Sequence, residues 1–195
     1  MTELPVTGLL GLAPSQTVGP YLAIGLTRAL ITPHVVDPAD PRAIRIRGTL
    51  LDGAGDPVPD GMIETWQANA AGRYNHPADD RADVPLEESF LGFGRSGTVD
   101  AGRFEIVTVK PGLVPWPEGG MQAPHLVVGV FARGLLKRAV TRLYFPDEQE
   151  TNAADPVLSS LDPAARATLV AVAEDDGLRF DIRLQGPGHT TFFAV

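Results

Sequence analysis

The sequence predicts an all-β protein, a β-sandwich of the two-sheet type with one short helix and long loops. Two observations carry that expectation. Glycine and proline, 21 and 18 of 195 residues, make up a fifth of the chain, and so many breakers leave little room for long helices. Seven short segments carry strand patterning with turn residues between them, which is how two packed sheets are written in a sequence. The length fits one domain over residues 1–195. With 44% hydrophobic and 21% charged residues, the chain is globular and can build a core.

Taken in order, residues 1 to about 40 read as an N-terminal arm. Leu4 to Thr27 carries no charge, but Pro5, Pro14 and Pro20 interrupt it and Ser15 to Thr17 are polar, so it does not read as a membrane span. Glu3 is present and no Lys or Arg precedes Arg28, which argues against a secretory leader. Ile44-Arg45-Ile46-Arg47-Gly48-Thr49-Leu50 alternates apolar and polar residues and then meets the turn residues Asp52 to Pro57, a strand followed by a reversal. Further strands are expected at 62–68, 104–109, 125–132, 139–145 and 190–193, with an irregular connection over 74–102. Asp162 can cap a helix whose first residue is Pro163, running to about Ala173. Glu174 to Gly177 is a solvated turn. Leu178 to Leu184 places four apolar residues in alternation with three charged ones, a half-buried strand.

The charge balance of 16 basic against 24 acidic residues, net −8, repels phosphate backbones and makes nucleic acid an unsuitable partner. The chain has no cysteine, which removes disulfides, thiolate nucleophiles and iron–sulfur clusters and permits a reducing, cytoplasmic location. His34, His76, His125 and His189 never fall into H-x-H or H-x-x-x-H spacing, so there is no zinc signature. No nucleophile elbow, dinucleotide fingerprint or phosphate loop is present. From residues alone the chain lacks the parts of a self-sufficient enzyme, and a β-sandwich binding module stays open.

Four segments do not look like ordinary surface: Pro14 to Tyr21, Glu64 to Tyr74, Val109 to Trp116 and Ala123 to Val127. With Phe131 to Gly134, Thr141 to Phe145 and Arg179 to Gly186, they resemble the intradiol ring-cleavage dioxygenases, and within that family the alpha-type subunits of its hetero-oligomeric members. The resemblance implies a β-sandwich and a non-haem ferric ion held by two tyrosines and two histidines, a donor set suited to a hard metal. Matched residue by residue, the ligand positions are Tyr74, Val114, His125 and Val127. Two of the four carry no donor atom, so the resemblance implies a vestigial site, no metal and no catalytic residue on this chain. It implies instead that Fe(III) is bound by a homologous beta subunit. This chain would lend that partner part of the pocket for protocatechuate, cleaved by O2 in aromatic catabolism.

The substrate-facing residues implied in this way are Thr17, Gly19, Pro20, Tyr21 and Arg133. Gly19 would let backbone approach a flat ring, Pro20 and Tyr21 would offer rigid apolar contact, and the Arg133 guanidinium is a fork suited to a carboxylate. An alternative keeps the iron on this chain through displaced ligands, Tyr21 or Tyr144 for the second phenol and His76 or His189 for the second imidazole.

Overall fold

The computed structural model describes residues 33–194 together with Thr17, Gly19, Gly25 and Leu26. Within residues 33–194, eleven strands and three short helices follow one another: β1 (Ile44–Leu51), β2 (Met62–Trp66), β3 (Phe93–Gly97), β4 (Arg103–Thr108), β5 (Val114–Pro115), β6 (Met121–Gln122), β7 (His125–Phe131), β8 (Ala139–Tyr144), α1 (Gln149–Ala154), α2 (Pro156–Ser159), α3 (Pro163–Ala167), β9 (Val172–Glu174), β10 (Gly177–Arg179) and β11 (Ile182–Arg183). One sheet is centred on β1, with β4 antiparallel on one side and β10 and β11 parallel on the other, β9 extending it from β10. The second sheet runs β3-β2-β7-β8, antiparallel throughout. A single cluster containing Ile46, Leu50, Ile63, Ile106, Leu126, Val128, Val130, Leu143, Phe180 and Ile182 draws on both sheets. The β-sandwich expected from the sequence is the fold observed.

The alternation in β1 works as its pattern predicts, with Ile46, Gly48 and Leu50 buried and Arg45, Arg47 and Thr49 half-exposed. Gly48 is required there, because a Cβ would lie 1.9 Å from the carbonyl oxygen of Phe180. The 178–184 strand is split into β10 and β11 without losing register. Between the two, the Asp181 carboxylate accepts the Thr49 N–H at 2.9 Å, a bond the sheet ladder would otherwise make.

Several elements differ from expectation. The helix begins where Asp162 caps it, accepting from the N–H groups of Ala164 and Ala165 at 2.9 Å, but it ends at Ala167. The next residues are drawn into extended pairing: Tyr144 N–H donates to Leu169 O and Ala171 N–H to Tyr144 O, and 172–174 then form β9. The irregular 74–102 connection contains an edge strand, β3, whose Gly94 packs so close that a Cβ would meet Val35 Cγ2 at 2.7 Å. Residues 190–193 give only a bridge between Phe193 and Val140. The helices α1 and α2 had no sequence expectation. Leu158 of α2, with Leu169, Tyr144 and Ala123, forms a second apolar cluster. It covers the face of β8 that carries Tyr144 and Arg142.

Candidate functional site

Two groups of candidate residues emerge, one at each end of β7. The first surrounds Tyr74. Asn69 shapes the turn that delivers it, its Oδ1 accepting from Ala71 and Arg73 N–H at 3.0 and 2.9 Å and its Nδ2 donating to Pro85 O. Gly72 adopts a φ of +84°, and a Cβ there would stand 2.0 Å from Leu113 O, so glycine alone fits the crossing of the two loops. Tyr74 is then stacked on Trp66, ring centroids 6.0 Å apart and planes within 10°. Its N–H donates to Asp79 Oδ2. The Arg81 guanidinium bonded to Asp79 holds that carboxyl down at about 2. Burial raises the Tyr74 phenol above its ordinary value.

Tyr74 and Val114 line one cavity of about 550 Å³ with Trp66, His76 and Gln122. His125 and Val127 share a face of β7 beside it. His125 is buried, and its Nδ1 lies 2.8 Å from Ala123 O. A carbonyl only accepts, which places the proton on Nδ1. Burial, reinforced by the Arg142 charge, lowers its pKa to about 4. Arg142 stands opposite Val127 in the β7–β8 register. Its Nη1 donates to Gln122 Oε1 at 2.8 Å and to the Tyr144 hydroxyl at 3.2 Å, and the Tyr144 hydroxyl donates to Asp155 Oδ1. Asp155 also accepts from the N–H groups of Val157, Leu158 and Ala123.

A ferric ion does not fit these residues. Val114 and Val127 offer no donor atoms, which leaves only Tyr74 and the second ring nitrogen of His125 of the four positions, and a guanidinium already supplies positive charge alongside Val127. Of the displaced-ligand candidates, Tyr21 lies outside the described residues and His76 lines the Tyr74 cavity, while Tyr144 and His189 are engaged elsewhere. Tyr144 is bonded to a cation and a carboxylate, and burial drives its phenol well above the ordinary range. His189, exposed, contacts Gly186 O in the loop after β11. Among the described residues no three His, Asp or Glu gather as a metal cluster.

The second group lies past the other end of β7. Arg133 follows that strand, and Gly134, at φ +85°, turns the chain. The Gly134 N–H donates to Thr17 Oγ1 at 2.9 Å, so the arm and the Arg133 turn meet. Arg133 Nε is 2.8 Å from Asp60 Oδ2, the side chains 70% and 23% exposed. Both line a cavity of about 440 Å³ with Pro59, Ala132 and Leu135. Gly19 has a φ of +65° and open space where a Cβ would point. Pro20 and Tyr21 lie outside the described residues. A strand rise of about 3.3 Å per residue puts the ends of the seven-residue β7 about 20 Å apart, so the two groups cannot touch one small ligand.

The profile of a family described as "Dioxygenase" matches residues 26–186. The chain belongs to the intradiol dioxygenase family. Within the family it is 44% identical to the protocatechuate 3,4-dioxygenase alpha chain of Burkholderia cepacia, over 93% of this chain and 96% of that one. It is 42% identical to the alpha chain of Pseudomonas putida, covering 95% and 97%. The beta chain from Burkholderia cepacia is 37% identical over 80% of this chain and 71% of that one. Among solved structures, the dioxygenase domain of a carbohydrate-binding fusion protein from Streptomyces sp. SirexAA-E superposes with a TM-score of 0.58 at 22% identity, covering 94% and 96% of the two chains, a likeness of fold.

Sequence reasoning missed Asp60, Gln122 and Arg142. Asp60 reads as a turn residue before Gly61. Arg142 reads as a solvent-facing strand position. The available signal was that Val140 and Tyr144 flank it on the same face while Leu143 and Phe145 occupy the other, a strand apolar on both sides and therefore covered on both.

Proposed function

We propose that this chain is the alpha subunit of a protocatechuate 3,4-dioxygenase, binding no iron itself and paired with a homologous beta subunit that holds the ferric ion. The assembled enzyme opens protocatechuate between its two hydroxyl-bearing carbons, both atoms of O2 entering 3-carboxy-cis,cis-muconate. The alpha and beta relatives support this assignment. The observation that carries it is the separation along β7. The family's ligand positions at one end hold Val114, Val127 and a guanidinium, while Thr17 and Arg133 sit together at the other. A substrate contact made by Arg133 therefore belongs to a pocket completed by another chain.

In that pocket Thr17, Gly19, Pro20 and Tyr21 form wall, and Arg133 supplies the positive group that a carboxylate needs on a chain of net charge −8. Its work is orientation of the ring. Tyr74 and His125 serve packing and hydrogen bonding instead of metal ligation. No helix among the described residues is long and apolar enough to cross a membrane, and the cysteine-free composition suits the cytoplasm.

The test is co-expression with a candidate beta chain, followed by metal analysis and oxygen uptake with protocatechuate, against this chain expressed by itself. Iron and oxygen uptake are expected only in the co-purified complex. A stoichiometric ferric centre in the chain purified by itself would sink the assignment.

A further inference from the structure

The turn carrying Arg133 is gripped from two sides. Thr17 accepts the Gly134 N–H, and Asp60 meets the guanidinium at Nε through one oxygen. Asp60 has a rigid mount. The neighbouring Gly61 N–H donates to Thr98 Oγ1 at 2.8 Å, and that hydroxyl donates to Val58 O at 2.6 Å. Gly61 is packed so tightly that a Cβ would meet Leu50 Cδ2 at 2.4 Å. The second Asp60 oxygen, Oδ1, is buried and receives no hydrogen bond. The backbone that carries Asp60 is therefore fixed and its side chain largely buried, while the arginine, a long side chain with many rotamers, is mostly exposed.

Contact at Nε leaves both Nη groups without a protein partner among the described residues. Those two groups are the end-on fork that a planar carboxylate takes bidentately. We propose that Asp60 is a positioning residue, holding Arg133 by its Nε edge so that the Nη fork is presented to the carboxylate of the aromatic substrate. Asp60 does not touch the substrate; it acts by removing rotamers that Arg133 would otherwise have to give up on binding. The inference rests on the reading of Arg133 given above.

The experiment uses the assembled alpha–beta complex carrying Asp60→Ala, Asp60→Asn or Arg133→Ala. It measures KM and kcat with protocatechuate, and anaerobic equilibrium binding of protocatechuate and of catechol, which lacks the carboxylate. Freezing one flexible side chain in advance corresponds to a loss of about three- to tenfold in affinity when the holder is removed. Asp60→Ala is expected to raise KM and Kd for protocatechuate by that factor, with the effect on KM and not on kcat, and to leave catechol binding alone. Asn keeps an oxygen that can accept from Nε, so Asp60→Asn recovers most of the loss. The inference is overturned if Asp60→Ala binds protocatechuate like the unsubstituted enzyme, if Ala and Asn shift it equally, or if catechol binding weakens as much. The two failures separate cleanly: an Arg133→Ala complex with unchanged Kd removes the reading of Arg133, whereas a weakened Arg133→Ala beside a silent Asp60→Ala removes only the role of Asp60.

Discussion

Replacing Asp155 by alanine tests what holds α2 against β6 and β8. The side chain is fully buried, and its two oxygens accept from four donors: Val157 N–H, Leu158 N–H, the Tyr144 hydroxyl and Ala123 N–H. Each bond contributes about 1 kcal/mol net, so their loss together costs about 4 kcal/mol. For a chain of this size 1 kcal/mol moves the melting temperature by about 2–4 °C, giving an expected fall of about 8–16 °C. Asparagine does not rescue it. Its oxygen can serve the α2 cap, but its amide then faces the Ala123 N–H, donor against donor. Thermal unfolding of the purified protein followed by circular dichroism makes the comparison, with Asp162→Ala as control, where an exposed cap is worth about 1 kcal/mol. A shift for Asp155→Ala no larger than that of the control would refute the argument that this carboxylate ties α2, β6 and β8 together.

Further outcomes follow from the same geometry. His125 has its pKa lowered from 6.5 to about 4, so the unfolded chain takes up a proton before the folded one does. Stability should decline as pH falls from 6.5 towards 4 and level off below, a slope that His125→Gln flattens in urea titrations at stepped pH. Gly72→Ala puts a methyl 2.0 Å from Leu113 O at a φ of +84°; destabilisation of about 2 kcal/mol or more is expected by denaturant unfolding, and a neutral result would contradict the crossing of the two loops. Restoring donors with Val114→Tyr and Val127→His should leave the protein colourless after incubation with ferric iron, because Arg142 faces position 127. Visible tyrosinate-to-iron absorption in that double variant would show that the guanidinium does not keep a metal out.

The sandwich was legible because strands with one covered face alternate in sequence, as 44–50 and 178–184 do. The strand β3 was not, since Phe93-Gly94-Arg95-Ser96-Gly97 has little β-propensity of its own. It is held by pairing with β2, including an Arg95–Glu64 ion pair across the register. The helix after Asp162 was overextended because capping marks a beginning, whereas its end is set by the distant Tyr144 backbone. The Asp155–Pro156 start of α2 carries the same signal as Asp162–Pro163 and could have been read. At the candidate sites, the family resemblance grouped Tyr74, Val114, His125 and Val127 as one set of positions. It could not place Asp60 beside Arg133 or Arg142 against Gln122, since each pair joins strands or turns that only the folded sheets bring together.

The span of β7 also has a practical side for protein engineers. Perturbations at sites more than about 7–10 Å apart with no shared neighbours add almost independently, and the Arg133 turn and the His125 end are farther apart than that. Libraries varied around residues 17, 60 and 133 can therefore be crossed with libraries varied around 114, 127 and 142, and the combined clones ranked from the two parental screens.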